Sequence, residues 1–170
     1  IYSNLKAAID SKAVLRIGLK IPGLSNVFKK KLREAAGFGN SRFAISGAAP
    51  INPDILKLFQ ELDIPLFEGY GMTENTAGIT INFHGNNKIG SVGKCMPFFN
   101  VKIADDGEVL IKGDNVMKGY YKNPDATRET IVDGWLRTGD VGKIDSEGFL
   151  SITGRKKEIY VSSSGKNVAP

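Results

Sequence analysis

Between Gly69 and Glu74 the sequence reads GYGMTE, which sets two glycines, an aromatic ring, a hydroxyl and a carboxylate within six residues. Glycines let a backbone come close to a bound molecule. The ring of Tyr70 suits stacking on a planar base, the Thr73 hydroxyl suits a phosphate oxygen, and Glu74 offers a hard oxygen donor to Mg²⁺. The same hexapeptide also reads as an ordinary glycine turn ahead of a helix. A second stretch, GWLRTGD from Gly134 to Asp140, ends in a carboxylate whose two acceptor oxygens match a pair of ribose hydroxyls; its plainer reading is a turn. In the third, Gly154-Arg155-Lys156-Lys157-Glu158, the guanidinium fork of Arg155 fits a ribose or a phosphate, and the plainer reading is a run of solvated charge.

Other reactive residue types offer less. His84 is the only histidine, and Phe83 and Gly85 beside it indicate a loop, so catalysis or metal binding through imidazole would rest on that residue alone. Cys95 has no second cysteine to pair with and reads as packing, which points to a reducing, cytoplasmic setting. Trp135 and the pair Tyr120-Tyr121 read as anchors of a core.

The elements that must position these residues are legible from pattern. Residues 1 to about 37 read as helical, first with Ile1, Leu5, Ala8 and Ile9 on one face, then, after Pro22 and Gly23, as a basic helix ending near Gly37. Arg42 to Ser46 reads as a short buried strand that empties into the loop Gly47-Ala48-Ala49-Pro50. A helix follows, with Asn52 as N-cap, Pro53 in its first turn and Ile55, Leu58, Phe59 and Leu62 at helical spacing; Ile64 to Phe67 is a second strand. Strand, helix and strand in this order form a βαβ crossover with parallel strands, whose ligands bind beyond the strands' carboxyl ends. Both ends are glycine-rich here.

After about residue 92 the texture changes to short β-type runs. Val101 to Ile103 and Glu108 to Ile111 flank an Asp106-Gly107 hairpin turn, and Val141 to Ile144 and Phe149 to Thr153 form a final pair. The fold class is therefore α/β: part of a layered α/β domain with parallel strands over 1–92, a β-rich, barrel-like subdomain over 93–154, and a terminal stretch over 155–170.

With 41% hydrophobic residues the chain can bury a core, and no apolar run in it is long enough to span a bilayer. The net charge is +5, densest at Lys29, Lys30, Lys31 and Arg33. Because Phe28, Leu32 and Ala36 share one helical face, the lysines read as its solvated side and not as a nucleic-acid surface; peripheral contact with a membrane stays compatible with this charge.

Taken together and in order, GYGMTE, IGSVGK (89–94), GEVLIKG (107–113), VMKGYYKNP (116–124), GWLRTGD and GFLSITGRKKE (148–158) resemble the adenylate-forming, AMP-binding superfamily of acyl-CoA synthetases, luciferase-like enzymes and peptide-synthetase adenylation domains. GAAP and the ending SSSGKNVAP are most similar to its long-chain fatty-acid–CoA ligases. The resemblance spans Ser41 to Pro170 and implies ATP or AMP, Mg²⁺, CoA and a fatty acid as small-molecule partners. It implies adenine contacts for Gly47, Ala48, Ala49 and Tyr70, nucleotide contacts for Glu68, Gly69 and Gly71, an α-phosphate contact for Thr73, and Mg²⁺ on Glu74. It implies ribose contacts for Asp140 and Arg155 with Ile152 beside them, an acyl-pocket wall from Gly71, Met72 and Gly78, and a domain hinge at Lys157.

The superfamily's lysine-ending phosphate loop is not found before Ser41, nor its C-terminal lysine domain after Pro170. The expectation is thus a segment of a longer enzyme that holds nucleotide and turns over little by itself. Two other readings are an adenylating ligase for another acid class and a nucleotide-binding module without catalysis.

Overall fold

Helix α1 (Tyr2–Ser11) buries Leu5 and packs Ile9 against the same core. Ile1, expected on that face, precedes the helix and is largely exposed. At Lys12 the backbone becomes extended, so α2 (Ala13–Gly18) is a separate helix and not the continuation that the periodicity predicts. No proline or glycine marks that break. Helix α3 (Leu24–Ala35) is the basic one: Leu32 is buried, Lys30 and Lys31 are exposed, and Lys29 pairs with Asp63 at 3.2 Å. The computed structural model describes residues 1–156, 160–161 and 167–168.

The expected crossover follows. Strand β1 (Ala44–Ser46) leads to α4 (Pro53–Glu61), where the Asn52 side chain accepts from the Asp54 N–H at 2.8 Å and Pro53 occupies the first turn. Strand β2 (Leu66–Tyr70) then lies next to β1, and the two give the sheet its parallel part. One expectation fails here. Phe43 and Ile45 are 62% and 52% exposed, so β1 is not a buried strand; as the edge of its sheet it pairs on one side only.

The chain divides into two compact units, Ile1–Ser46 with Pro50–Phe67, and Gly47–Ala49 with Glu68–Pro170. The first has a core of Leu5, Leu32, Phe59, Leu62 and Ile64. The textural change near residue 92 falls later, inside the second unit.

In the second unit β2 extends further than expected, because Gly69 and Tyr70 pair with Ile81 and Thr80 of β3 (Thr80–Ile81), itself paired with β4 (Lys94–Cys95). Strands of two residues carry no readable alternation. The Asp106-Gly107 turn joins β5 (Asn100–Ile103) to β6 (Glu108–Lys112) as predicted. Helix α5 (Pro124–Thr130) was not foreseen, although Asn123-Pro124 repeats the capping signal of Asn52-Pro53. After β7 (Ile131–Val132) comes β8 (Trp135–Ile144), which pairs with β6, β7 and β9 (Leu150–Arg155). Ile79, Val109, Ile111, Leu136 and Leu150 form this unit's core. The tyrosine pair does not anchor it: Tyr120 is 37% and Tyr121 88% exposed. Residues 160–161 and 167–168 are β10 (Tyr160–Val161) and β11 (Asn167–Val168), an antiparallel pair.

Candidate functional site

Strand β8 runs straight through the RTGD sequence, which is therefore not the plain turn that its glycine suggested. Its register carries an irregularity instead: Leu110 faces Arg137 and Glu108 faces Val141, so one residue of β6 opposes three of β8. The surplus forms a bulge at Thr138-Gly139-Asp140, with Gly139 at φ 73°, where glycine alone is unstrained. The Thr138 hydroxyl ties the bulge down by donating to the Val109 carbonyl at 2.8 Å and accepting the Asp140 N–H at 3.1 Å. The consequence is that Asp140 is turned to meet the end of β2.

There the Tyr70 hydroxyl donates to Asp140 Oδ2 at 2.7 Å, and Arg155 Nε lies 3.1 Å from Asp140 Oδ1. Arg155 faces Asp140 directly in the β8–β9 register. Three residues up to 85 positions apart in the sequence thus meet around one carboxylate that is only 6% exposed. Burial, with the Asp140 carboxylate beside it, pushes the Tyr70 hydroxyl far above its ordinary range against the opposing influence of the nearby Thr138 hydroxyl, so Tyr70 stays a donor at neutral pH. Ile152, Tyr70 and Met72 pack against the second unit's core.

The loop at Gly47 belongs to this unit, and a Cβ placed on Gly47 would stand 3.4 Å from the Gly69 carbonyl oxygen. Ala48 there has φ 67°, a conformation that costs a residue with a side chain on the order of 1 kcal/mol. The structure thus brings Gly47, Gly69, Tyr70, Asp140 and Arg155 into one neighbourhood, with Glu68 buried on β2 behind it.

Thr73 and Glu74 open a one-turn 3-10 helix, Thr73–Asn75, held by the Asn75 side chain accepting the Met72 N–H at 2.9 Å. Thr76 and Ala77 follow at φ 59° and 77°, and this return path leaves no room at Gly71, where a Cβ would overlap the Ala77 carbonyl. Gly71 is therefore required by the turn itself, whatever lines a pocket. Gly78 has ordinary clearance to Met96. The Glu74 carboxylate accepts from the Tyr120 hydroxyl at 2.9 Å, and its backbone carbonyl from the Met117 N–H at 2.8 Å. Among the described residues no group of three or more His, Cys, Asp and Glu is arranged to hold a metal by itself. A lone carboxylate such as Glu74 fits Mg²⁺ bound mainly through substrate phosphates. Lys157 lies outside the described residues.

Pattern reading missed the residues beneath Asp140. Glu108 is buried at the start of β6, where it accepts from the Gly139 N–H at 2.9 Å, from Arg137 at 3.0 Å and from Lys156 at 3.0 Å; Lys156 also reaches Asp106 at 2.7 Å. Burial alone would raise the Glu108 carboxyl, but Lys156, the Gly139 N–H and Arg137 outweigh it and hold it below its ordinary 4.5. Asp106 is held below 3.8, chiefly by Lys156. A carboxylate depressed in the folded state stabilises above its unfolded value and loses that contribution as pH falls through its folded one. The melting temperature is expected to hold steady from pH 7 to about 5 and to fall below roughly pH 4.5, with Glu108→Gln flattening the acid limb. Thermal melts across pH 3 to 7 check this.

A cavity of about 470 Å³ lies in the first unit, lined by residues such as Ile9, Leu19, Lys29 and Leu62. None of the residues singled out above for chemistry lines it. No helix among the described residues is long and apolar enough to cross a membrane.

The family model described as AMP-binding enzyme matches residues 14–121. Long-chain-fatty-acid–CoA ligase FadD15 of Mycobacterium bovis is 48% identical over 141 residues, covering 83% of this chain and 23% of its own length. Among solved structures, a Mycobacterium tuberculosis fatty acyl CoA synthetase superposes with a TM-score of 0.66 at 34% identity, over 85% of this chain and 32% of that one. O-succinylbenzoate Coenzyme A Synthetase from Bacillus subtilis, in complex with AMP, gives 0.71 at 27% identity, over 100% of this chain and 37% of that one. The chain thus spans about a quarter to a third of the proteins it matches. With a family model covering more than half of its residues and a relative at 48% identity, this chain belongs to the AMP-binding enzyme family.

Proposed function

We propose that this chain forms the adenosine-binding part of an AMP-forming acyl-CoA ligase acting on long-chain fatty acids. The observation that carries the reading is the meeting of Tyr70, Asp140 and Arg155 around one buried carboxylate. In this reading the ring of Tyr70 lies against adenine, bordered by the backbone of Gly47 to Ala49 and of Glu68 to Gly71. Asp140 accepts from the ribose hydroxyls, using lone pairs that Tyr70 and Arg155 leave over. Arg155 pairs with the carboxylate and supports the same ribose, with Ile152 closing the side.

The reaction has two halves. A carboxylate oxygen attacks the α-phosphorus of ATP and pyrophosphate leaves, giving an acyl-adenylate; the CoA thiol then attacks the acyl carbon, loses its proton, and AMP leaves with the C–O bond pair. The work of this chain is positioning and charge neutralisation. Thr73 hydrogen-bonds an α-phosphate oxygen as charge builds there. Glu74, braced by Tyr120, holds Mg²⁺, which supplies neutralisation of the phosphate charges when bound. Gly71, Met72 and Gly78 border the acyl chain, and Lys157 serves as the hinge. A cytoplasmic setting with peripheral access to membrane lipid suits such a substrate.

The long-chain reading is supported by the 48% identity to FadD15. A shorter or aromatic acid is the second reading, favoured by the likeness to the succinylbenzoate enzyme. Acid-dependent exchange of labelled pyrophosphate into ATP, run on the longest natural form of the chain across acid classes, separates them. The expected result is exchange with acids of about twelve or more carbons; exchange confined to aryl acids overturns the assignment.

A further inference from the structure

Glu108 has no role in the chemistry described so far, yet it is the most heavily bonded carboxylate beneath the site. Only 3% exposed, it accepts through Oε1 from the Gly139 N–H at 2.9 Å, and through Oε2 from Arg137 Nε and its terminal nitrogen at 3.2 and 3.0 Å and from Lys156 Nζ at 3.0 Å. Gly139 immediately precedes Asp140, and Lys156 immediately follows Arg155. One side chain therefore grips the neighbour of each member of the Asp140–Arg155 pair.

The geometry explains why such a grip is needed. The bulge on β8 removes Gly139 from the regular ladder with β6, and a backbone N–H left without an acceptor inside a protein costs on the order of 1–3 kcal/mol. Glu108 supplies that acceptor. Its charge is matched by Arg137 and Lys156, and Asp106 shares Lys156 at 2.7 Å while accepting the Glu108 N–H at 3.1 Å. Without the carboxylate the bulge keeps its Thr138 tie but loses the contact that sets its depth, and Lys156 keeps only an exposed partner.

We propose that Glu108 is the positioning residue of the nucleoside site, fixing the Asp140 carboxylate and the Arg155 guanidinium at the spacing that two ribose hydroxyls require. The step rests on the adenosine-binding reading of Asp140. It differs from a general contribution to stability because its effect passes through the Asp140–Arg155 pair, chiefly through Asp140.

A double-mutant cycle on AMP affinity tests this, measured by calorimetry or NMR titration well below each protein's melting temperature, with Asp140→Asn, Glu108→Gln, the double variant and Lys156→Met. Glu108→Gln is expected to weaken AMP binding about tenfold, and Lys156→Met, at a more accessible site, by a smaller factor. In the Asp140→Asn background Glu108→Gln is expected to cost clearly less than it does alone, only the part that acts through Arg155 remaining. An unchanged affinity in Glu108→Gln, or the same tenfold loss on top of Asp140→Asn, overturns the proposal. Should Glu108→Gln not fold, Lys156→Met decides: full AMP affinity in that variant overturns it. If Asp140→Asn itself binds AMP like the unaltered chain, the adenosine reading falls and this step with it, whereas loss in Asp140→Asn alone removes only the role of Glu108.

Discussion

Asp140→Asn is expected to weaken AMP binding by between one and two orders of magnitude while the second unit stays folded. The substitution keeps the size of the side chain and removes its charge. At present both carboxylate oxygens face donors, the Tyr70 hydroxyl at 2.7 Å and Arg155 Nε at 3.1 Å, in a position 6% exposed. An asparagine turns its own NH₂ toward one of them, so one donor loses its acceptor and the site offers the ribose a single acceptor atom. Hydrogen bonds to charged groups contribute roughly 1.5–3 kcal/mol each, and losing one accounts for a tenfold to hundredfold change. Affinity for AMP by calorimetry, with far-UV circular dichroism for the fold, measures both halves; affinity within twofold of the parent removes Asp140 from the ribose.

A larger effect is expected on chemistry from Glu74→Gln in the longest natural form of the chain, a loss of two to three decades in acyl-adenylate formation. Glutamine keeps an acceptor for the Tyr120 hydroxyl, now at 2.9 Å from Oε1, so the turn at Thr73–Asn75 is retained. What is lost is the negative charge that would hold Mg²⁺ against the phosphates. Pyrophosphate exchange is the readout, and an unchanged rate takes Glu74 out of that role. Tyr120→Phe, which removes the brace and leaves the carboxylate, should lower exchange far less.

The parts of this fold that the sequence announces are those governed by local rules. Asn52-Pro53 capping α4 and Asp106-Gly107 turning β5 into β6 need only neighbouring residues to take shape. Tyr70 and Asp140 were legible as chemistry because a ring or a carboxylate flanked by glycines is unusual, and the structure does bring them within hydrogen-bonding distance. What stayed hidden depends on partners distant in sequence. Glu108 sits at a strand start where charge reads as solvated, and only the β8 bulge, with Lys156 arriving 48 residues later, makes it a buried acceptor. The break at Lys12 has no breaker residue, and β3 is too short for a pattern to show. The apolar run at Phe43 and Ile45 pointed to burial, yet both are exposed, because strand composition records what a surface prefers to face and not what this edge meets.

Amide NMR of the ¹⁵N-labelled chain titrated with AMP addresses the adenosine site most directly. The expected shifts cluster at Gly47 to Ala49, Gly69 to Gly71, Gly139 to Val141 and Ile152 to Arg155. Shifts confined to the first-unit cavity around Ile9, Leu19 and Leu62, or none at millimolar AMP, would contradict it.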